Sequence, residues 1–424
     1  MNIMPENRYP AMNLPSRGQL SVSVRSLGEF LPLQDATVTL RATGVEGSPL
    51  EVLTTDISGQ TPTIDLPAPS LEYSLEPTDN QPYSEYTIQV EREGFTPFTV
   101  KGIQVFPNTL ALQDAELAVQ RTTTPAENLL VIPPNTLFGE FPPKIPEAEI
   151  KPEPPPTGYV VLDYPVIPEF IIVHDGVPDD ASAPNYYVPY RDYVKNVASC
   201  EIYSTWPAAT IRANVLAISS FALNRIFTEW YRGKGKNFNI TTSTAFDQKY
   251  VHQRNIYKEV SQVVDEVFAN YISRPGIRQP LFTQYCDGNR VQCPNWMTQW
   301  GSKTLGDQGL PALDILRHFY GSDVYLNTAN QISGVPSSFP GYNLQVGSSS
   351  APVRTIQEQL NAISNNYPAI PKLRSDGIFG QLTKEAVETF QKVFNLPVTG
   401  IVDYPTWYKI SDIYVAVKRL AELQ

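Results

Sequence analysis

Histidine and cysteine are scarce in this chain of 424 residues, which contains three of each. A structural zinc site takes four ligands, mostly from these two residue types, so a tetrahedral cluster is hard to assemble here. Three cysteines are also too few for the disulfide framework of a small secreted domain. Cys286 and Cys293 could form a disulfide or join a metal site, and the shortage of histidine favours free or oxidised thiols. We expect no metal and no cofactor.

Positive charge is also in short supply. The chain has 32 lysine and arginine residues against 43 acidic residues, a formal net charge of -11, and no basic block. Nucleic-acid binding needs clustered positive charge, so that class of function is excluded. No stretch reaches 18 apolar residues, so we expect no membrane span. The first residues, MNIMPENRYPAMNLPSRGQ, lack an apolar core, and we expect no classical signal peptide.

Proline is abundant, with 39 residues, and is concentrated between 125 and 189. Before this stretch, short runs alternate apolar and polar residues between turn residues, which predicts an all-β sandwich. After it, helical and strand patterns mix, and the chain ends in helical periodicity. We therefore predict a multidomain protein. The predicted segments are an N-terminal arm (1–17), a β-sandwich (18–118), a Pro-rich linker (119–157), an α+β domain (158–331), a second linker (332–351) and a three-helix module (352–424).

The segment YRDYVKNVASCEIYSTWPAATIRANVLAISSFALNRI (190–226) predicts two buried helices with Glu201 at the connection between them. Ser204 and Thr205 can cap the second helix, and Pro207 suits its first turn. Apolar neighbours disfavour an ionised carboxyl and raise its pKa, which is how a glutamate becomes a general acid near neutral pH. The alternative is a solvated or capping glutamate without chemistry.

The stretch YVKNVASCEIYSTWPAATIRANVLAISSFAL resembles the core signature of the SpoIID-type lytic transglycosylase domain, where a glutamate precedes a Trp-Pro helix start. A second block, MTQWGSKTLGDQGLPALDILRHFYG (297–321), is similar to the closing signature of that domain. The resemblance implies a SpoIID-like catalytic domain with Glu201 as the catalytic residue. It also implies roles in substrate binding, although a buried glutamine or tyrosine is more often a paired structural group. These substrate-binding candidates are Tyr203, Trp206, Gln248, Tyr250 and Gln299.

The motif DGIFGQLTKEAVETFQ (376–391) is similar to the peptidoglycan-binding type 1 domain, a three-helix module. With the domain order, nearly the whole chain resembles the SleC family of clostridial spore cortex-lytic enzymes. That resemblance implies cortex peptidoglycan as substrate, a location in the spore cortex or coat region, and a zymogen activated by a subtilisin-like Csp protease during germination. The sandwich would be a pro-domain. Polar exposed segments are preferred nicking sites, so we expect the cut between Ala118 and Glu127.

The implied reaction needs a single carboxyl group. It protonates the oxygen between N-acetylmuramic acid and N-acetylglucosamine and then accepts the proton of the C6 hydroxyl, unlike the two-carboxylate glycosidases. Asp247 stands where the wider family often has a cysteine, and a histidine expected before the second block is replaced near Cys293. Both departures argue against the zinc that some relatives bind. Two alternatives stay open: an N-acetylmuramoyl-L-alanine amidase, and a non-catalytic peptidoglycan-binding spore protein.

Overall fold

The computed structural model describes residues 15–28, 30–120, 128–152 and 164–422, without the side chains of 419–422. The predicted multidomain layout is confirmed in outline, because a β-rich N-terminal region, a central α+β region and a C-terminal three-helix segment follow one another. Most of the predicted arm, and most of the predicted cleavage segment from Ala118 to Glu127, lie outside the described residues.

The N-terminal region is built from two facing sheets. Strand patterns alternate as the sequence predicts: along β1, Leu20, Val22 and Val24 are buried between the sheets. The strands are β1 (Ser16–Ser26), β2 (Thr37–Ala42), β3 (Glu51–Thr54), β4 (Ile64–Ala68), β5 (Ser84–Glu91), β6 (Phe98–Val105), β7 (Leu110–Leu117) and β8 (Asn128–Val131). One sheet has the order β3-β2-β5-β6-β8, and in the other β1 lies between β7 and β4.

Both sheets are extended by chain from beyond the predicted sandwich. Strand β8, from the Pro-rich segment, pairs in parallel with β6 from Phe98 to Lys101. A two-residue strand of the central region, β12 (Ile256–Tyr257), pairs antiparallel with β7. Each added strand satisfies the backbone groups of an otherwise open sheet edge. The sandwich is therefore joined to the central region by sheet hydrogen bonds.

Helix α2 (Ala208–Phe227) is the centre of the α+β region, and every residue from Thr210 to Arg225 except Arg212 is buried. It packs against α3 (Lys258–Val267), α4 (Gln299–Asp307), α5 (Ala312–Tyr320) and β13 (Asn270–Ser273). The elements of this region are β9 (Phe170–His174), β10 (Asn185–Pro189), α1 (Tyr190–Glu201), α2, β11 (Ile240–Thr241), β12, α3 (Lys258–Val267), β13 (Asn270–Ser273), β14 (Tyr285–Cys286), β15 (Met297–Thr298), α4 (Gln299–Asp307), α5 (Ala312–Tyr320) and β16 (Tyr325–Thr328).

The predicted capping of α2 by Ser204 or Thr205 is wrong. Pro207 is the N-cap residue, without a side-chain cap, and the Thr205 hydroxyl instead donates to the Ser74 hydroxyl of the sandwich at 2.9 Å. Thr205 lies two residues before the N-cap position of α2, and its hydroxyl bonds to a tertiary partner there.

The C-terminal segment contains α6 (Ala351–Ile363), α7 (Gln381–Val393) and α8 (Tyr404–Glu422). Its core has the apolar residues that periodicity predicts, including Ile356, Leu360 and Phe390, all fully buried. Helix α8 also packs on the central region, where Arg191 donates to the Tyr408 carbonyl at 3.1 Å. Within the described ranges, no helix is both long and apolar enough to cross a membrane.

Candidate active site

Glu201 is the last residue of α1 and is only 3% exposed. Its Oε1 accepts a hydrogen bond from the backbone N–H of Lys249 at 2.7 Å, and its Oε2 accepts one from the phenol of Tyr285. Burial raises the pKa of the Glu201 carboxyl above its ordinary value of 4.5, against the opposing effects of Lys144 and of these two donors. The carboxyl therefore retains its proton to higher pH than an exposed glutamate does.

Gln248, predicted to bind substrate, connects to Glu201 through Tyr285. Its Nε2 donates to the Tyr285 hydroxyl at 3.0 Å, and its Oε1 accepts from the Tyr193 hydroxyl at 2.9 Å. Because Tyr285 accepts from Gln248, its own proton points to Glu201. Burial raises the pKa of Tyr285 well above its ordinary value, so the phenol remains a donor at neutral pH.

Gln299 contacts the backbone at Glu201 and not the carboxyl. As the first residue of α4, it donates from Nε2 to the Glu201 carbonyl at 2.9 Å, and it is 3% exposed. The Thr298 side chain caps the same helix by accepting from the Gly301 N–H at 3.2 Å. Gln299 thus fixes the end of α1 that carries the acid.

Tyr203 and Trp206 lie between Glu201 and the sandwich, and both are buried. The Tyr203 ring packs on Phe106 with 5.0 Å between centroids, and the Trp206 indole donates to the Ser74 carbonyl at 2.9 Å. In this state the sandwich covers both side chains, and neither is open to a ligand.

Tyr250 packs beside Tyr193 and is 4% exposed. Its ring stacks on Tyr193 with 5.6 Å between centroids, and its hydroxyl is 3.0 Å from Nδ1 of His252. It also lines a 550 Å³ cavity where the three regions meet, while Glu201 does not line that cavity. Tyr250 therefore contacts Tyr193 and His252 and not the Glu201 carboxyl.

A buried ion pair holds the loop that supplies Gln248 and the Lys249 N–H. Arg225 of α2 is 2.7 Å from Asp247, and neither side chain is exposed. Asp247 also accepts from the Tyr231 hydroxyl at 2.7 Å.

Cys286 and Cys293 form a disulfide, which decides between the states that the sequence leaves open. Cys286 directly follows Tyr285 on β14, which pairs in parallel with β15. The disulfide therefore restrains the loop that follows Tyr285, the hydroxyl donor to Glu201. Cys200 is buried and free. Among the residues described, none of the His, Cys, Asp and Glu side chains form a group of three that could hold a metal ion.

The Pro-rich segment from 132 to 152, called the strap below, runs from β8 along the central region and brings a cation to the site. Nζ of Lys144 donates to the backbone carbonyl of Asp247 and lies 5.0 Å from the ring centroids of Phe221 and Tyr285. Burial lowers the pKa of Lys144, while the nearby Glu201 acts in the opposite direction. The acid is thus closed off by the strap on one side.

Sequence reasoning missed Tyr285, the Lys249 N–H and Lys144. Tyr285 lies 84 positions from Glu201 and the strap precedes the whole central region, so no local spacing rule connects them. The only signal was the apolar content of the Pro-rich segment, which suggested that part of it lies along a domain surface.

Comparison with known proteins identifies one region by sequence. Residues 349–410 match the family PG_binding_1, described as "Putative peptidoglycan binding domain". The chain carries a C-terminal peptidoglycan-binding domain. No curated protein sequence matches the chain.

Solved structures show partial likenesses. The SleB N-terminal domain is 30% identical over 17% of this chain and 93% of its own, with a TM-score of 0.15. The 5-hydroxyisourate hydrolase of Klebsiella pneumoniae is 19% identical over 24% of this chain and 91% of its own, with a TM-score of 0.17. Catechol 1,2-dioxygenase from an Acinetobacter species is 12% identical over 30% of this chain and 60% of its own, with a TM-score of 0.19.

Proposed function

We propose that this chain is a spore cortex-lytic enzyme that cleaves cortex peptidoglycan by lytic transglycosylation, with Glu201 as its acid and base. The observation that carries the proposal is a buried carboxyl of raised pKa that keeps two hydrogen-bond donors, Tyr285 and the Lys249 N–H. The peptidoglycan-binding domain at 349–410 supports the choice of substrate.

In the first step, protonated Glu201 gives its proton to the glycosidic oxygen between N-acetylmuramic acid and N-acetylglucosamine. The bond from C1 to that oxygen breaks, and positive charge develops at C1. The Glu201 carboxylate then accepts the proton of the C6 hydroxyl, whose oxygen bonds to C1 and leaves a 1,6-anhydro end. Tyr285 and the Lys249 N–H stabilise the carboxylate between the two transfers, because their hydrogen bonds are pre-oriented in a water-poor site.

The proposal includes a zymogen, made inactive and cut during germination by a subtilisin-like Csp protease in the spore cortex or coat region. Two observations support it: Glu201 is 3% exposed, and Tyr203 and Trp206 are packed under the sandwich. A cut between Ala118 and Glu127 would leave β8 hydrogen-bonded to β6. Activation then requires the sheet to release β8 as well as the cut itself.

A non-catalytic peptidoglycan-binding spore protein is the second candidate. The burial of Glu201 favours it, because an acid that remained closed off would leave the C-terminal domain as the working part. The two candidates differ in what happens to the substrate after binding.

The test digests purified spore cortex with the full chain after limited cutting by subtilisin and identifies the products by mass. Anhydromuramic ends support the proposal, released stem peptides indicate the amidase alternative, and intact glycan indicates a binder. Glu201→Gln should reduce anhydro ends by about 10²- to 10⁴-fold, the usual contribution of a general acid, with cortex binding unchanged. The control is Glu259→Gln, because burial also raises the pKa of Glu259 at the start of α3.

A further inference from the structure

Two buried glutamines of the central region bind the strap through its peptide groups. Gln284 accepts from the Glu147 N–H at 2.9 Å and donates to the Ile145 carbonyl at 2.8 Å. Gln279 accepts from the N–H of Lys151 and donates to the carbonyl of the same residue, both at 2.9 Å. Each side-chain amide therefore pairs with one N–H and one C=O of an extended chain.

A secondary acetamide presents the same pair of groups, one N–H and one C=O. The sugars of peptidoglycan carry an N-acetyl group of this kind on C2. Gln279 is 6% exposed and Gln284 is 2% exposed. Loss of the strap would remove both partners of the Gln284 amide and would leave the Gln279 amide with Asn224 alone. Unpaired buried amides are unfavourable, and a ligand with the same donor and acceptor would restore both bonds.

The strap resembles the substrate in a second way, through the side chain of Lys144. Its ammonium group lies over the Tyr285 ring, and its charge lowers the pKa of Glu201 against the larger effect of burial. In glycoside cleavage, the reacting sugar becomes oxocarbenium-like, so positive charge develops next to the acid. The Lys144 ammonium group, when protonated, places positive charge at the same position, where aromatic faces also favour a cation.

The cation and the acetamide-like peptide group are adjacent on the strap. Lys144, which carries the cation, directly precedes Ile145, whose carbonyl accepts from Gln284. Gln284 in turn directly precedes Tyr285, whose ring lies under that cation. Further along, the strap is held by an ion pair between Glu147 and Arg225, with 2.6 Å between Oε1 and Nη2. Below it lies a 180 Å³ cavity lined by the strap's Glu147 and Glu149, by Arg274, Gln284 and Asn295, and by aromatic side chains. These are Phe282, Trp296, Phe319 and Tyr320.

We propose that the strap occupies the saccharide groove as a substrate mimic, and that Gln284 and Gln279 bind the N-acetyl groups of the glycan once the strap has left. The inference rests on the proposed function and deepens it by assigning subsites and the inhibitory segment. The sandwich then covers Tyr203 and Trp206, while the strap closes the reacting end of the groove.

The test uses full chains and a soluble probe. A strap-weakened chain carries Lys144→Met, Glu147→Gln and Glu149→Gln, which remove the cation and the ion pairs to Arg225 and Arg274. Calorimetry measures its affinity for the tetramer of N-acetylglucosamine and for the tetramer of glucosamine. Faster hydrogen exchange at the backbone amides of positions 147 and 151 reports strap release.

We expect the strap-weakened chain to bind the N-acetylated tetramer about 10-fold more tightly than the unaltered chain. Adding Gln284→Ala should reduce that affinity about 10- to 100-fold, as expected for lost hydrogen bonds to a buried amide. Adding Gln262→Ala, a half-buried glutamine of α3, should change nothing. The glucosamine tetramer should not distinguish these chains. Binding by the C-terminal domain is common to all of them and cancels in the comparison.

Equal affinity of the strap-weakened chain with and without Gln284→Ala would overturn the inference, and so would equal binding of the two tetramers. Gln284→Glu keeps the size and the acceptor of the side chain but loses its donor, so it tests the hydrogen bond without opening a cavity. Melting temperatures, measured for each variant, show whether the chain still folds. The proposed function fails separately: if the tetramer binds through Gln284 while cortex digestion yields no anhydro ends, the subsites stand and the transglycosylase does not.

Discussion

The phenol of Tyr285 donates a hydrogen bond to Oε2 of Glu201, across 84 positions of sequence. The same hydroxyl accepts from Gln248, so the direction of the bond to the acid is set by a third residue. Hydrogen bonding to the ionised form lowers a carboxyl pKa, whereas burial raises it. At Glu201 burial has the larger effect, and Tyr285 limits its size.

Tyr285→Phe should therefore raise the pKa of Glu201 further. The alkaline limb of the pH–activity profile should move to higher pH, and the rate of anhydro-end formation should fall about 10²-fold, because one donor to the carboxylate is lost. The profile is measured with activated chains on purified cortex. Tyr271→Phe, a change to another buried tyrosine of the region, is the control. A Tyr285→Phe profile that overlays the unaltered one would contradict the assigned role.

Glu201→Gln should change how stability depends on pH. Because the folded chain raises the pKa of Glu201, it binds more protons than the unfolded chain above the ordinary value of 4.5, and the free energy of unfolding falls as pH rises. The glutamine variant lacks this contribution. It should therefore gain stability relative to the unaltered chain between about pH 4 and about pH 7. Urea unfolding at both values measures this, and parallel changes in the two proteins would be the contrary result.

Arg225→Met should strongly destabilise the central region, by about 3 to 5 kcal/mol, because it leaves the Asp247 carboxylate buried without its cation. The double variant with Asp247→Asn should recover much of this loss, since no uncompensated charge remains. Denaturant midpoints measure both effects. A single-variant loss below about 1 kcal/mol, the range of exposed pairs, would mean that the pair is not closed off from water.

Replacing Cys286 and Cys293 by serine should lower the free energy of unfolding by about 2 to 3 kcal/mol, the entropic effect of opening a short loop. Activity should also fall, because the loop begins next to Tyr285. Cys200→Ser is the control, since that thiol is buried and takes no part in the disulfide. Thiol titration of the denatured, unreduced chain should find one free thiol, and three would show that the bond is absent.

Local pattern predicted several elements correctly, for physical reasons that are visible in single residues. Strand β1 buries Leu20, Val22 and Val24 because alternate side chains face the same side of a sheet. Helix α2 is rich in apolar residues and buried on nearly all sides because it is surrounded by other elements. The predicted cap of α2 is wrong because Pro207, which has no side-chain acceptor, holds the N-cap position.

The sequence alone determined the three-region layout, the peptidoglycan-binding signature and the apolar neighbourhood of Glu201, since all of these depend on residues close together in the chain. Only the tertiary structure decided that Tyr285 and the Lys249 N–H hold the carboxyl, that Lys144 of the strap lies beside it, and that β8 and β12 complete the sandwich sheets. These pairings join segments far apart in sequence. Which buried donor meets which acceptor depends on how whole elements pack, and residue periodicity carries no information about that.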